Sequence, residues 1–468
     1  MKRLDPPFIM FLLSLLFVAF GAGLYVGKEK VWPYRPIRDG LFSAKVLYDQ
    51  MMAPQVVGDV IRLADAPAEG PFPRLKTHVD PATFGGTDET FLIVGGYNQF
   101  REHCPDAGCA GVEMDRAGNV VAAIAWRPED ILAADMTDNA YPHEISGSTP
   151  RNMMRPQTIR RYADGDYFMI FQARDGVFPF GVGAARVAPY GTPRWFRKDF
   201  SHHWGVLLPD GRALVPGMNV PGRNIPPRPN GHGKSYIAPC ESGFPLMDIL
   251  RIIKPNGEIE REIDLVEAME AAGFERWVTR TLDPCDPLHL NFVDQVRAGA
   301  SGGLNPGDFI VSLRNIDVVA ILDGETGAVT RLIRGNFLQQ HAAQHLSGSK
   351  ILIHDNWGAD QDGPSSQIVE FDVATGVERV IFPRPDQLSA VPEIYNIFGG
   401  TIDISPDRRR IFTGYTFLGK AYEIDVETGD LLTEYTNIHG ISDILDEDAP
   451  DRDKARVYHT YGVGYAGN

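Results

Sequence analysis

Four segments in the middle of this 468-residue sequence carry side chains suited to moving a charged group. They are FSHHWGVLLPDG around His203, DPLHLNFVDQV around His289, IVSLRNIDVV around Arg314 and QQHAAQHLSGSKILIHDN around His341. A neutral imidazole is both a nucleophile and a proton carrier near pH 7. Arg314 and Asn291 add fixed donors of the kind that hold developing negative charge. Any one of these histidines taken alone reads as a hydrogen-bonded structural residue. Taken together, their recurrence ahead of similar apolar strands, beside Arg314 and Asn291, points to a shared site. His202, the neighbour of His203, would point away from such a site in a regular strand and is read as structural. His341, His345, His354 and Asp355 offer a competing metal-binding reading, which their Leu-separated turn context disfavours.

A site of this kind needs an architecture that brings distant strand ends to one axis. The strongest organisational signal is a repeated turn between two apolar runs, clearest in ILDGETGAV from Ile321, EFDVATGVE from Glu370 and EIDVETGDL from Glu423. Looser copies are VEMDRAGNV from Val112, VAPYGTPRW from Val187 and IIKPNGEIE from Ile252. In such a hairpin an Asp accepts backbone N–H groups, and the glycine takes the positive φ that reverses the chain. The six glycines, Gly118, Gly191, Gly257, Gly327, Gly376 and Gly429, recur at the spacing of propeller blades with loop insertions. The 48 glycines and 35 prolines, with little helical periodicity, also favour an all-β chain. The expected fold is a six-bladed β-propeller preceded by an N-terminal transmembrane helix. The first strand of each blade would line the channel, where the histidines converge.

In this order and spacing the segments resemble the bacterial arylsulfate sulfotransferase family. Its pattern is matched by His289 and Asn291, Ser312 and Arg314, Asp323 to Gly327, Gln340 and His341, then Asp355 and Asn356. The match runs over about 90 contiguous residues, and the His202–His203 segment and the turns extend it weakly. The resemblance implies a catalytic set of His341, His289, Arg314, His203 and Asn291. His341 would take the sulfuryl group and His289 or His203 would carry the phenol's proton. It also implies an aryl sulfate donor and a phenolic acceptor as small-molecule partners, with no cofactor and no metal. The chain departs from the family at Ala342 after His341, at Trp204 after His203, and in RLIRGNF.

The formal net charge of -16 argues against a nucleic-acid partner, which requires clustered Lys and Arg. No phosphate-binding glycine-rich loop is present, in keeping with a donor that is not a nucleotide. Phe8 to Gly27 runs without a charge and is long enough to cross a bilayer. Ala19 and Gly21 would suit signal-peptide cleavage, but the apolar run continues through Val26 and favours a retained anchor. The expected organisation is residues 1–30 as anchor or signal segment, 31–84 as a linker with a short helix near 40–52, and 85–468 as the catalytic propeller. The propeller is expected in the periplasm or outside the cell, held to the membrane by its N-terminal helix, and the sequence allows a homodimer. Four cysteines fit two disulfides in an oxidising compartment, with Cys104 and Cys109 expected to be oxidised.

Overall fold

All six of the turn glycines sit at positive φ, between +72° and +89°, in a computed structural model of the chain. Each lies between the third and fourth strands of an antiparallel sheet, so the six repeats count six blades. The aspartates act as the turn chemistry requires. Asp323 Oδ1 accepts from Thr326 N at 2.7 Å, Asp372 Oδ1 from Ala374 N at 2.9 Å and Asp425 Oδ1 from Glu427 N at 2.9 Å.

The structure describes residues 74–467 apart from 96–98, 101–102, 105–106, 138–153, 174–179, 220–239, 241–244, 279–280, 282, 358–365, 389–390, 392–395, 397–398 and 441–453. It also describes the backbone of 60–64 and, as helix, residues 14, 16–21 and 25. The chain divides into two compact units, Met1–Val56 and Val57–Asn468. Among the described residues no helix is long and apolar enough to cross a membrane. Most of the apolar run 8–27, and the helix expected near 40–52, lie outside the described residues.

Blade 1 consists of Gly462–Tyr465, Phe91–Val94, Cys109–Met114 and Val120–Ala125, and blade 2 of Met154–Arg161, Tyr167–Ala173, Gly181–Val187 and Pro193–Arg197. Blade 3 consists of Val206–Leu207, Ala213–Asn219, Met247–Ile253 and Ile259–Asp264, and blade 4 of Leu290–Gln295, Phe309–Leu313, Val318–Leu322 and Val329–Ile333. Blade 5 is His341–Ser347, Lys350–Asp355, Gln367–Asp372 and Glu378–Phe382. Blade 6 is Thr401–Ile404, Arg410–Tyr415, Lys420–Asp425 and Leu431–Thr436, with Leu75–Thr77 as a fifth strand beyond Leu431–Thr436. A further three-stranded sheet joins Val60–Ala64, Ala455–Tyr458 and Ile438–His439. Strands ahead of residue 85 are thus paired into the same unit as the blades.

Burial is lowest in the fourth strand of each blade. The first strand of blade 4 is nearly all buried, whereas Ile259–Asp264 at the rim of blade 3 alternates between half-buried and exposed positions. That gradient places the first strands at the axis. The ring closes by pairing the C-terminal strand Gly462–Tyr465 with Phe91–Val94, so one blade is built from both ends of the propeller's chain. Charged side chains reinforce the closure between blades 1 and 6. Arg116 bonds Glu423 at 2.6 Å and Glu89 at 2.7 Å, and Tyr465 donates its hydroxyl to Glu423 at 3.1 Å.

Two disulfides, Cys104–Cys109 and Cys240–Cys285, use all four cysteines. The second joins the segment before the third strand of blade 3 to the turn that carries Asp286, and Leu246 N donates to Cys285 O at 2.7 Å beside it.

Candidate active site

Blade geometry puts every site residue at one edge of the propeller. His203, His289, His341, Gly399 and Tyr461 lead into or open the first strands of blades 3, 4, 5, 6 and 1. Phe180, Arg314, Asn356 and Thr416 lie between the second and third strands of blades 2, 4, 5 and 6. Because strand direction alternates, both kinds of connection fall on the same edge, and the Asp-Gly hairpins fall on the other. The backbone is strained where the histidines sit. His203 and His289 have φ of 53° and 54°, and Gln339 and Ala342 flank His341 at 49° and 51°. Non-glycine residues held in this region recur at functional sites.

The three expected histidines meet. Ring centroids of His203 and His289 are 4.9 Å apart, edge to face, and those of His203 and His341 are 6.4 Å apart. Phe180 from blade 2 walls the group, 5.3 Å from His203 and 5.5 Å from His289. His202 departs from expectation. Its ring packs 4.8 Å from His203, with the two Nδ1 atoms 2.5 Å apart, because the positive φ of His203 breaks the alternation that would have sent the two side chains to opposite faces.

The protonation form of His341 follows from its neighbour. Asn356 gives its amide hydrogens to the carbonyls of Asn396 at 2.7 Å and Gly399 at 2.6 Å, which fixes which end of the amide faces the imidazole. Its Oδ1 therefore accepts from His341 Nδ1 at 2.6 Å. Nδ1 carries the proton and Nε2 keeps its lone pair. Burial, and after it the Arg314 charge, hold the His341 imidazole well below its ordinary range, so it is neutral at pH 7.

His289 has a different partner. Its Nδ1 donates to the Asp286 carboxylate, three residues earlier in the same turn. Asp248, at the start of the third strand of blade 3, accepts the Leu290 N–H at 3.0 Å, and burial followed by the Asp286 charge pushes its carboxyl up. Arg314 bonds Gln339 Oε1 at 2.7 Å and Asn315 Oδ1 at 3.1 Å. Burial lowers its guanidinium against the opposing pull of Asp286 and Asp317, yet an arginine stays cationic at neutral pH. Asn291 is fully buried and gives its amide to Gln340 O at 2.8 Å, directly before His341. Gln340 is itself held by Ser312 Oγ and Val318 O. Asn291 thus fixes the backbone that carries His341.

The residues that sequence reasoning left unassigned are Asn356, Asp286, Phe180 and Trp204. Asn356 and Asp286 had usable signals. Asn356 lies two residues beyond His354, the cross-strand partner of His341, and Asp286 lies within one turn of His289. His345 and His354 have other partners. His345 Nδ1 accepts from Arg297 N at 3.1 Å, and His354 is fully buried against the Tyr415 ring at 4.9 Å. Among the described residues no group of three or more His, Cys, Asp and Glu side chains is arranged to hold a metal ion.

This burial predicts acid lability. His202, His203, His341, His345, His354 and His439 all have imidazoles lowered chiefly by burial, His354 to about 3. The unfolded chain takes up protons at these rings as pH falls through about 6.5, whereas the folded chain does not. Their contribution is therefore complete above that pH and is lost below it, at about 1.4 kcal/mol per pH unit for each ring that stays neutral. Asp248 and Asp294, raised by burial, offset part of the loss. The melting temperature should drop steeply between pH 6.5 and 5, and His354→Leu should flatten the slope. A melting temperature constant over that range would contradict this assignment.

A family model described as arylsulfotransferase (ASST) matches residues 192–380. No curated protein matches the chain. Among solved structures, streptogramin B lyase is 13% identical over 60% of this chain and 68% of its own, with a TM-score of 0.34. Hydrazine synthase of Kuenenia stuttgartiensis is 12% identical over 68% of this chain and 70% of its own, at 0.35. Sqt1 of Saccharomyces cerevisiae is 9% identical over 87% of this chain and 97% of its own, also at 0.35. Likenesses this loose carry no functional inference. The family match covers nearly all of blades 3 to 5 and hence His203, His289, Asn291, Arg314 and His341: residues 192–380 are similar to the arylsulfotransferase family.

Proposed function

We propose that the protein moves a sulfuryl group from a phenolic sulfate ester to a phenolic acceptor through a sulfohistidine at His341, without a nucleotide donor. The observation that carries this reading is the His341–Asn356 hydrogen bond, which leaves Nε2 as a neutral nucleophile beside Arg314. In the first half-reaction Nε2 attacks sulfur, the bond from sulfur to the aryl oxygen breaks, and its electron pair leaves on that oxygen. His289, in its protonated form and backed by the Asp286 carboxylate, gives the departing oxygen a proton. Arg314 holds the sulfuryl oxygens, whose charge shifts as the group transfers. The second half-reaction runs in reverse. The acceptor oxygen attacks sulfur, its proton passes to His289, and the electron pair of the broken N–S bond returns to Nε2. Two disulfides and the apolar run near the N-terminus support placing this chemistry outside the cytoplasm, with the run as a membrane anchor.

The test is rapid mixing of the purified protein with a chromogenic aryl sulfate and no nucleotide. The expected result is a burst of phenol equal to the concentration of protein, followed by turnover that rises when a second phenol is added. Absence of both burst and turnover in the folded protein would favour a non-catalytic, ligand-binding propeller instead.

A further inference from the structure

Trp204 stands where the family pattern leads one to expect a different residue after the histidine pair, and its contacts are unusual for a side chain of one blade. It leads into the first strand of blade 3, yet its indole Nε1 donates to Tyr461 O at 2.8 Å, just ahead of the strand that closes blade 1. Its ring lies 5.8 Å from His341 of blade 5, edge to face, and 5.6 Å from His203. Gly399, ahead of blade 6, lies beside the indole, where a Cβ would make ordinary contact at 3.5 Å. The Trp204 backbone bridges to Phe292, three residues deeper in blade 4 than His289. A side chain of blade 3 that touches blades 1, 5 and 6 lies across the axis, and its backbone bridge to Phe292 and its place in the apolar core with Leu290, Phe292, Ala342 and Ile402 set it inward of the histidines.

We propose that Trp204 is the floor of the active-site pocket and a specificity-determining residue: its indole closes the axial channel beneath His341, so that the sulfated histidine is reached from one face only and yields to a phenol in preference to water. This inference rests on the sulfuryl-transfer reading. The reactive intermediate is attacked by either acceptor in the same way. An O–H oxygen bonds to sulfur, the N–S bond breaks, the electron pair returns to His341 Nε2, and the proton goes to His289. Water gives inorganic sulfate and a phenol gives an aryl sulfate. Which acceptor prevails depends on how much water reaches sulfur, and an apolar ring fixed by a hydrogen bond across the channel excludes it. Trp204 is 5% exposed, so its ring is buried in the resting structure.

Two readouts test this, on Trp204→Ala, on Trp204→Leu in case the Ala variant does not fold, and on Trp204→Phe. The first is the ratio of inorganic sulfate to sulfated phenol at a fixed phenol concentration. Trp204→Ala or Trp204→Leu should raise that ratio on the order of tenfold, and Trp204→Phe should stay close to the native ratio. The second readout needs no sulfuryl chemistry: the rate at which diethyl pyrocarbonate modifies His341, followed by peptide mass spectrometry, should rise severalfold in the same order of variants. Unchanged product ratio and unchanged modification rate in a folded Trp204→Ala or Trp204→Leu protein would overturn the floor. A native protein with no phenol burst would sink the sulfuryl-transfer reading instead, and the modification rates would then decide the floor alone.

Discussion

Replacing His341 with alanine is expected to remove phenol release and the covalent adduct together. His341 combines an available ring nitrogen, a fixed tautomer and a neighbouring guanidinium. His203 shares its Nδ1 with His202, and His289 gives its Nδ1 to Asp286. Turnover should fall by at least about 10⁴-fold, the order seen when a nucleophile is deleted and only binding and charge stabilisation remain. The structural cost is much smaller. The change removes the 2.6 Å bond to Asn356 Oδ1 and leaves that oxygen buried, which costs roughly 1–3 kcal/mol. The variant should therefore melt at a somewhat lower temperature but as a folded propeller, and circular dichroism separates lost chemistry from lost structure. A folded His341→Ala protein with near-native turnover would refute the sulfohistidine route.

Arg314→Ala is the second large effect, and it has a different signature. The guanidinium is held by Gln339 and Asn315, and it is the leading charge acting on His341. Its removal takes away a donor to the sulfuryl oxygens and should lower turnover by about 10²–10³-fold, or roughly 3–4 kcal/mol of barrier. It also relieves the pressure that keeps the His341 imidazole neutral, although burial, the larger cause, remains. The nucleophile survives, so sulfated enzyme should still accumulate slowly. Single-turnover measurement of phenol release distinguishes the two variants: a slow burst of full amplitude for Arg314→Ala, and none for His341→Ala. Lys in place of Arg314 should recover only part of the rate, because an ammonium lacks the planar fork that Gln339 and Asn315 orient. An Arg314→Ala protein with native rates would show that the guanidinium serves only to tie its turn to Gln339.

Much of this arrangement was legible before any coordinates, for reasons that are local. An Asp-x-x-Thr-Gly hairpin needs a side-chain acceptor and a residue at positive φ, so its three copies mark themselves, and with three looser glycine turns they count the blades. Histidines ahead of similar apolar strands are equally visible, because equivalent positions in a propeller converge on the axis whatever the loops do. What escaped depends on distance across the ring. Nothing in the residues around Trp204 says that its indole will reach a carbonyl 257 residues away, since that contact is set by the radius at which the blades close. Phe180 escaped for the same reason. The pairing of Leu75–Thr77 with Leu431–Thr436 was hidden because three residues carry no period of their own. His202 was misplaced because alternation was assumed through a residue whose φ is positive. Asn291 fits the family motif, but its task is visible only in the hydrogen bond to Gln340 O.

The most direct test of the sulfohistidine account is the mass of the peptide that contains His341 after brief exposure of the protein to an aryl sulfate and quenching in base, where N-sulfo groups are better preserved than in acid. The account predicts one added sulfuryl group per chain, located on His341 by fragmentation and discharged when a phenol is supplied before the quench. A sulfuryl group found on His203 or His289, or phenol turnover with no sulfated peptide at any time, would contradict it.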